Sequence, residues 1–305
     1  MPNRGSGLGA IRMRVRFAAL TACLLTASAA QAGSAQSAYY ERSVMLAADE
    51  RCHLFPPEIA AALSASSLQA RGALLRGGAE GSTLAGLSAR AKLAAYSLPC
   101  GGADLKTAAD RVRQGFAGYA RISWMNFPGE TATWQAERKP TAPVANHKPV
   151  DGPRWRLSAP GRWAASSGPA PTFGLTEDLN SPVLLAPVGD ASGASSAFLI
   201  VRDSDKAALP YLLPGVRDLG ARQPPRNITR SFVARSKTSA AASLFPKGQG
   251  SGTLFGFPAA AIKALEALDP REVITVEIAY PGQASRRAVF EVGDFAAGRA
   301  FLAVR

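Results

Sequence analysis

The chain predicts an α+β fold in two modules, a disulfide-clamped helical bundle followed by a mainly antiparallel sheet that carries two helices. Three observations predict it. Apolar residues recur at helical spacing from about residue 57 to residue 121, and the period then shortens to strand-like runs. Two cysteines, Cys52 and Cys100, bracket the first two helical patterns. Helices and strands segregated along a chain define the α+β class rather than the alternating α/β class.

The first 32 residues read as an export signal. Arg12, Arg14 and Arg16 form a positive segment, Phe17 to Ala29 an apolar one, and Ala30-Gln31-Ala32 the small-x-small pattern of a cleavage site. The sequence therefore predicts a periplasmic or secreted chain that starts at Gly33. The apolar run is too short for ~30 Å of hydrocarbon, and no later stretch approaches the roughly 20 apolar residues of a span, so the mature chain is expected to be soluble. Leu20-Thr21-Ala22-Cys23 resembles a lipobox and keeps lipidation at Cys23 open as an alternative, although Phe17 to Ala22 makes a short apolar segment for one. Met13 offers a second start codon.

Residues 33–40 are small and polar and are expected to form a flexible leader. Residues 41–138 are expected to form the helical module with a terminal hairpin. Its first helix starts at Pro56-Pro57, carries Ile59, Leu63, Ala70 and Leu74 on one face, and stops at Gly77-Gly78. Ser82 is placed to cap the second, which repeats Leu84, Leu87, Ala91 and Ala94 before Leu98-Pro99. The third runs from Ala103 to Arg121 along Leu105, Ala109, Val112, Phe116 and Tyr119. Ala60, Gly72, Gly86, Gly115 and Gly118 leave room for close helix approach. Ile122–Phe127 and Thr131–Arg138 read as strands about Pro128-Gly129, a pair suited to the centre of a type II turn.

Seven prolines between Lys139 and Pro171 argue against helix or central strand, so 139–171 is expected to be a basic linker. The second module, 172–305, holds strand-like runs at 183–187, 197–202, 228–235, 253–257, 273–280 and 288–292. Helices are expected at Ala259–Leu268 and at Phe295–Ala303, the latter capped by Asp294.

The formal net charge is +13; removing residues 1–32 takes four of the 35 basic residues and none of the 22 acids, leaving +9. Cys52 and Cys100 are then the two remaining cysteines, an even number in an oxidising compartment, and are expected to pair. No C-x-x-C redox motif occurs, and a zinc site would have to draw on His53 and His147, the two histidines of the chain.

Phe257 with Ala259-Ala260-Ala261-Ile262-Lys263-Ala264-Leu265, then Val273-Ile274-Thr275-Val276, then Phe290-Glu291-Val292-Gly293-Asp294-Phe295-Ala296-Ala297 resembles the closing segment of exported proteobacterial proteins of the invasion-associated locus B type. In those proteins a helix, two strands and a final Gly-Phe-x-x-Ala helix follow one another. The resemblance covers about 45 of the 305 residues. The chain departs from that pattern in having no cysteine after Cys100. The resemblance implies an exported protein without a known catalytic activity and transfers no site residues.

Catalytic patterns are thin. His53 adjoins the cysteine pair and His147 lies in the Pro-rich stretch, neither a place for a preorganised base. Gly250-Ser251-Gly252 lacks the spacing of a nucleophile elbow, and in Lys247–Thr253 the lysine precedes the glycines, against the phosphate-loop order. Asp203-Ser204-Asp205 reads as an Asx turn closing a strand, with too few ligands for a hard cation. Glu266, Glu272, Glu277, Glu291 and Asp294 form no couple that spacing alone defines. No catalytic residue, metal ligand or cofactor is assigned.

The unusual feature is tryptophan. Trp124, Trp134, Trp155 and Trp163 fall within 40 residues, and block 139–165 carries five basic residues and one acid. Arg154-Trp155-Arg156 and Arg162-Trp163 are the candidate contacts for a ligand or polymer, by stacking and by charge, although packing, with these rings pinning the linker onto a domain, is the stronger reading. The expected role is a non-enzymatic, envelope-associated binding or interaction protein whose partner is an anionic envelope polymer or another envelope protein. Nucleic acid is set aside because of the compartment. A hydrolase without a His-based site and a lipid-anchored accessory subunit stand as alternatives.

Overall fold

The computed structural model describes residues 34–138, 153–165, 168–187, 191, 193–213, 215–245 and 251–303. The signal, the lipobox at Cys23, residues 139–152 of the expected linker and Lys247–Gly250 lie outside them. Helices come first: α1 over residues 34–52, α2 Pro57–Arg76, α3 Gly81–Ser97 and α4 Ala103–Phe116.

α1 replaces the flexible leader expected at 33–40. Tyr39 and Tyr40 pack on Leu74, Leu75, Leu84 and Leu87, while Met45 and Ala48 join Leu63, Ala95, Leu105 and Ala109. The helix exists because neighbours bury one of its faces, a tertiary cause that composition does not reveal. It ends at His53, whose φ of 49° makes it a left-handed cap.

α2 starts on Pro57 and stops as expected. Gly78 takes φ 92°, its N–H donates to the Leu75 carbonyl, and the Ala79 N–H donates to that of Leu74. This is the Schellman arrangement. α3 departs from expectation at its start: Glu80 is the capping residue, and the Ser82 hydroxyl donates to the Glu80 carboxylate instead. At its other end Arg51 donates to the carbonyls of Ala95, Tyr96 and Leu98, which satisfies acceptors the helix leaves open. The Cys52–Cys100 disulfide, with Cα atoms 5.5 Å apart, ties the end of α1 to the turn before α4.

Two antiparallel sheets follow. The strands are β1 Trp124–Pro128, β2 Thr133–Glu137, β3 Leu157–Pro160, β4 Arg162–Trp163, β5 Thr172–Leu175, β6 Pro182–Pro187, β7 Ser196–Arg202, β8 Thr229–Val233, β9 Ser236–Ser239, β10 Gly252–Gly256, β11 Val273–Tyr280 and β12 Gln283–Glu291. One sheet has the order β1-β2-β3-β5-β6-β10-β9 and the other β4-β12-β11-β7-β8. Alternation sets the facing: Ile274, Val276 and Ile278 of β11 enter the shared core, whereas Val273 packs outward with Leu219 and Val289.

Three expectations are corrected here. The linker does not extend to residue 171, because β3, β4 and the start of the chain into β5 fall inside it. Prolines are tolerated there since Pro160 ends β3 and Pro169 and Pro171 lie outside strands. The hairpin assigned to the helical module belongs to the sheet, where β2 pairs with β3. Its turn is also displaced: Pro128 pairs with Thr133, the Gly129 N–H donates to the Ala132 carbonyl, and Glu130-Thr131 form the tip.

The chain changes sheet at tight bends. Gly161 joins β3 to β4, and a Cβ there would lie 2.2 Å from the Phe290 ring, so only glycine fits. Between β8 and β9, the Ala234 N–H donates to Ala197 and the next one, of Arg235, to Gly256. Such corners let two sheets enclose one core. Trp134 anchors that core, its ring 5.2 Å from Phe295 and 6.3 Å from Phe173, its indole N–H donating to the Val292 carbonyl.

Two helices complete the fold, α5 Ala260–Glu266 and α6 Phe295–Ala303. α6 lies between the sheet and α2. Phe301 meets Phe127 and Tyr119 at 5.7 Å each, and Ala62 and Ala65 of α2 join the same core. Closest approach is at Gly72, where a Cβ would sit 1.8 Å from Asp294 Oδ1. Gly86 and Gly115, expected to serve similarly, face open space. The Asp294 carboxylate is drawn to Arg76 by a two-point contact at 2.6 and 3.0 Å and so does not serve as the expected helix cap.

Candidate functional site

α4 is strongly amphipathic, with Leu105 and Ala109 buried and Ala108, Val112 and Phe116 half-buried. Among the described residues, part of that stripe has no helix seated on it. Between α1 and α4 runs a cleft of about 640 Å³, floored by the buried side chains of Met45, Leu63 and Leu105. Val44 forms one wall and Ala108, Val112 and Phe116 the other, with Leu98 of the α3 end also lining it. Gly115 widens the opening, since a Cβ there would meet nothing within 4 Å.

Four charged residues line the cleft: Glu41, Arg42, Asp104 and Arg111. Arg42 is half-buried, and Nη1 donates to the Ser66 carbonyl at 2.9 Å. Burial holds its pKa below the ordinary guanidinium value, partly offset by Glu41. Arg111 is exposed one turn before Gly115. Neither arginine forms an ion pair among the described residues.

The sequence-selected residues are placed differently. Trp163 is 7% exposed within the main core, with its N–H donating to the Pro169 carbonyl and Arg286 over its ring at 4.4 Å. Arg156 is 8% exposed; burial lowers its pKa against the pull of Glu177 and Glu137. Trp155 is half-buried and donates to the Leu244 carbonyl at 2.9 Å. Arg162 pairs with Asp218 at 2.6 Å, and Arg154 is half-buried. A single exposed face of all five is not formed, because Arg156 and Trp163 are packed inside. The two indole N–H groups tie the chain to the turn at Ala242–Leu244 and to the loop at Pro169.

The buried carboxylates are each saturated. Glu291 accepts from the N–H groups of Glu130, Thr131 and Ala132 and from the Thr131 hydroxyl, latching the β1–β2 tip. Glu272 takes Arg202 at 2.5 and 2.9 Å and the N–H groups of Asp269 and Tyr211. Asp203 accepts from the Asp205 N–H, as an Asx turn requires, and pairs with Arg230 at 3.1 Å. Arg138, also buried, donates to the Phe301, Tyr119 and Ile122 carbonyls and stacks 3.5 Å from the Phe301 ring centre. Burial beside it pushes the Tyr119 hydroxyl up to about 12, against the opposing pull of Arg138. Among the described residues no group of three or more His, Cys, Asp or Glu could hold a metal, and no helix is long and apolar enough to cross a membrane.

No protein-family model, curated protein or solved structure matches the chain. The geometry of the site is therefore the ground on which function is read.

Proposed function

We propose that the protein is an exported, envelope-associated binding protein without catalytic activity, and that its ligand enters the cleft between α1 and α4. One observation carries the reading. A cleft of about 640 Å³ with an apolar floor opens inside a disulfide-tied bundle, within the range of about 300–1,000 Å³ usual for small-molecule sites. The export signal read from the sequence and the Cys52–Cys100 bridge support an extracytoplasmic setting.

Two measurements test this. Protein recovered from the envelope is expected to have the intact mass of a chain starting at Gly33; acyl mass on a chain starting at Cys23 would replace that reading with the lipid-anchored one. The neutral dye N-phenyl-1-naphthylamine is expected to bind at one saturable site and to be excluded by Gly115→Trp. That substitution fills open space and removes part of the roughly 1 kcal/mol helix penalty that glycine carries relative to alanine, so folding is kept. No binding to the wild type, or undiminished binding to Gly115→Trp, overturns the cleft as the ligand site.

A further inference from the structure

We propose that the ligand of the cleft is a single-chain amphiphile with an anionic head, its tail on Met45, Leu63, Leu105 and Val112 and its head against Arg42 and Arg111. The inference rests on the cleft being the binding site. The lining alternates in kind along its length. From Asp104 to Gly115 the α4 wall rises about 16 Å, and the stretch from Asp104 to Arg111 that lies below the head accounts for about 10.5 Å of it. Its floor is made of buried side chains that belong to the helical core, so a tail seated there extends that core.

The charges are unevenly placed. Arg111 is separated from Asp104 by seven residues of α4, about 10.5 Å of helix rise, so the aspartate sits at the far end of the wall. The Cys52–Cys100 bond joins the end of α1 to the start of α4, so Arg42 and Glu41, early in α1, lie toward the Arg111 end and away from Asp104. Arg42 has already lost part of its hydration and holds a neutral carbonyl, Ser66, in exchange. A half-desolvated cation whose burial Glu41 offsets only in part gains from an anion delivered with its own apolar tail. A cationic head would meet like charge, and a neutral one would add no counter-charge. A membrane surface fits less well, because the tail-binding floor is recessed between helices and is approached by one chain at a time.

The test is displacement of N-phenyl-1-naphthylamine from the full mature protein by matched twelve-carbon compounds below their micelle thresholds: laurate, dodecanol and dodecyltrimethylammonium. Laurate is expected to displace the dye at about tenfold lower concentration than dodecanol, the weight of one charge-assisted hydrogen bond. Arg111→Gln and Arg42→Gln/Arg111→Gln are expected to remove that advantage, so that laurate and dodecanol displace the dye at similar concentrations. If the double variant fails to fold, Arg111→Gln alone is decisive. Equal displacement by laurate and dodecanol, or preference for the cationic compound, overturns the anionic head while dye binding leaves the cleft site standing. Displacement by phosphatidylglycerol vesicles at lower lipid concentration than by laurate overturns the single-chain assignment. Absence of dye binding fells the cleft site itself, and this inference with it.

Discussion

The sheet half and the helical half of this protein solve the same problem with different materials. Between the sheets and α6, the largest fully buried side chains are aromatic: Trp134, Phe127, Phe173, Phe255, Phe257, Phe290, Phe295 and Phe301. In the helices they are Leu63, Leu75 and Leu105, set among alanines. Aromatic rings bring large buried area and fill the space between two sheets. A bundle of alanine and leucine buries less per residue, leaves a cleft open beside α4, and adds a covalent tie. The difference teaches that the disulfide and the open cleft both belong to the half whose core is built from the smaller side chains.

The comparison is broken most forcefully from the sheet side. Trp134→Ala is expected to cost about 3–5 kcal/mol, as large aromatic truncations do, because a closed core cannot refill the space. Thermal unfolding should fall as one transition; survival of α1–α4 protection in hydrogen exchange would show that the halves are independent. Arg76→Ala comes next, at about 3 kcal/mol or more, since it leaves the Asp294 carboxylate buried without its partner. This loss should appear in both halves at once, because Arg76 lies on α2 and Asp294 at the start of α6.

Cys52→Ser/Cys100→Ser follows at about 2–4 kcal/mol; closure of a loop with sequence separation 48 gives about 4 kcal/mol in the chain-entropy model. Here the two halves should part company, with exchange rising in α1 and α4 and not in β11 and β12. The smallest effect is pH dependence. Burial raises the Asp294 pKa, outweighing the pull of Arg76, so the folded state holds this proton more tightly than the unfolded chain. Stability of the wild type relative to Asp294→Asn should therefore rise as pH falls through the folded pKa toward about 3.9, and be lost again as pH climbs. A difference that instead shrinks as pH falls, measured by parallel melts, would place the balance in favour of Arg76.

Legibility followed the locality of the cause. α2 and α4, the Schellman stop at Gly78 and the strand β11 were readable because their periodicity and caps lie within a few residues. α1 was not, because Ser34 to Tyr40 look like a polar leader until Leu74 and Leu84 are placed beside the tyrosines. The strands inside the expected linker were hidden by prolines that sit at their ends, where no ladder N–H is needed. The candidate site was less legible than the fold. Val112 and Phe116 were recognised as core positions, but sequence does not say whether the facing helix closes over them. Trp155 and Trp163 beside arginines read as candidate contacts, and the sequence does not show that their N–H groups donate to the Leu244 and Pro169 carbonyls.

The Glu291 latch ties the β1–β2 tip across a sequence separation of 160, and the bonds of Trp134 to Val292, Arg138 to Phe301 and Arg76 to Asp294 span 158, 163 and 218. A chain delivered from its N-terminus thus makes the helices and the first hairpin long before the residues that lock them exist. Until residues 291–301 arrive, Trp134 lacks its ring partner Phe295, and Arg76 lacks its acid. A chain cut before Glu291 should therefore keep the helix contacts that the Cys52–Cys100 bridge ties together and lose order in β1, β2 and the face of α2 that meets α6.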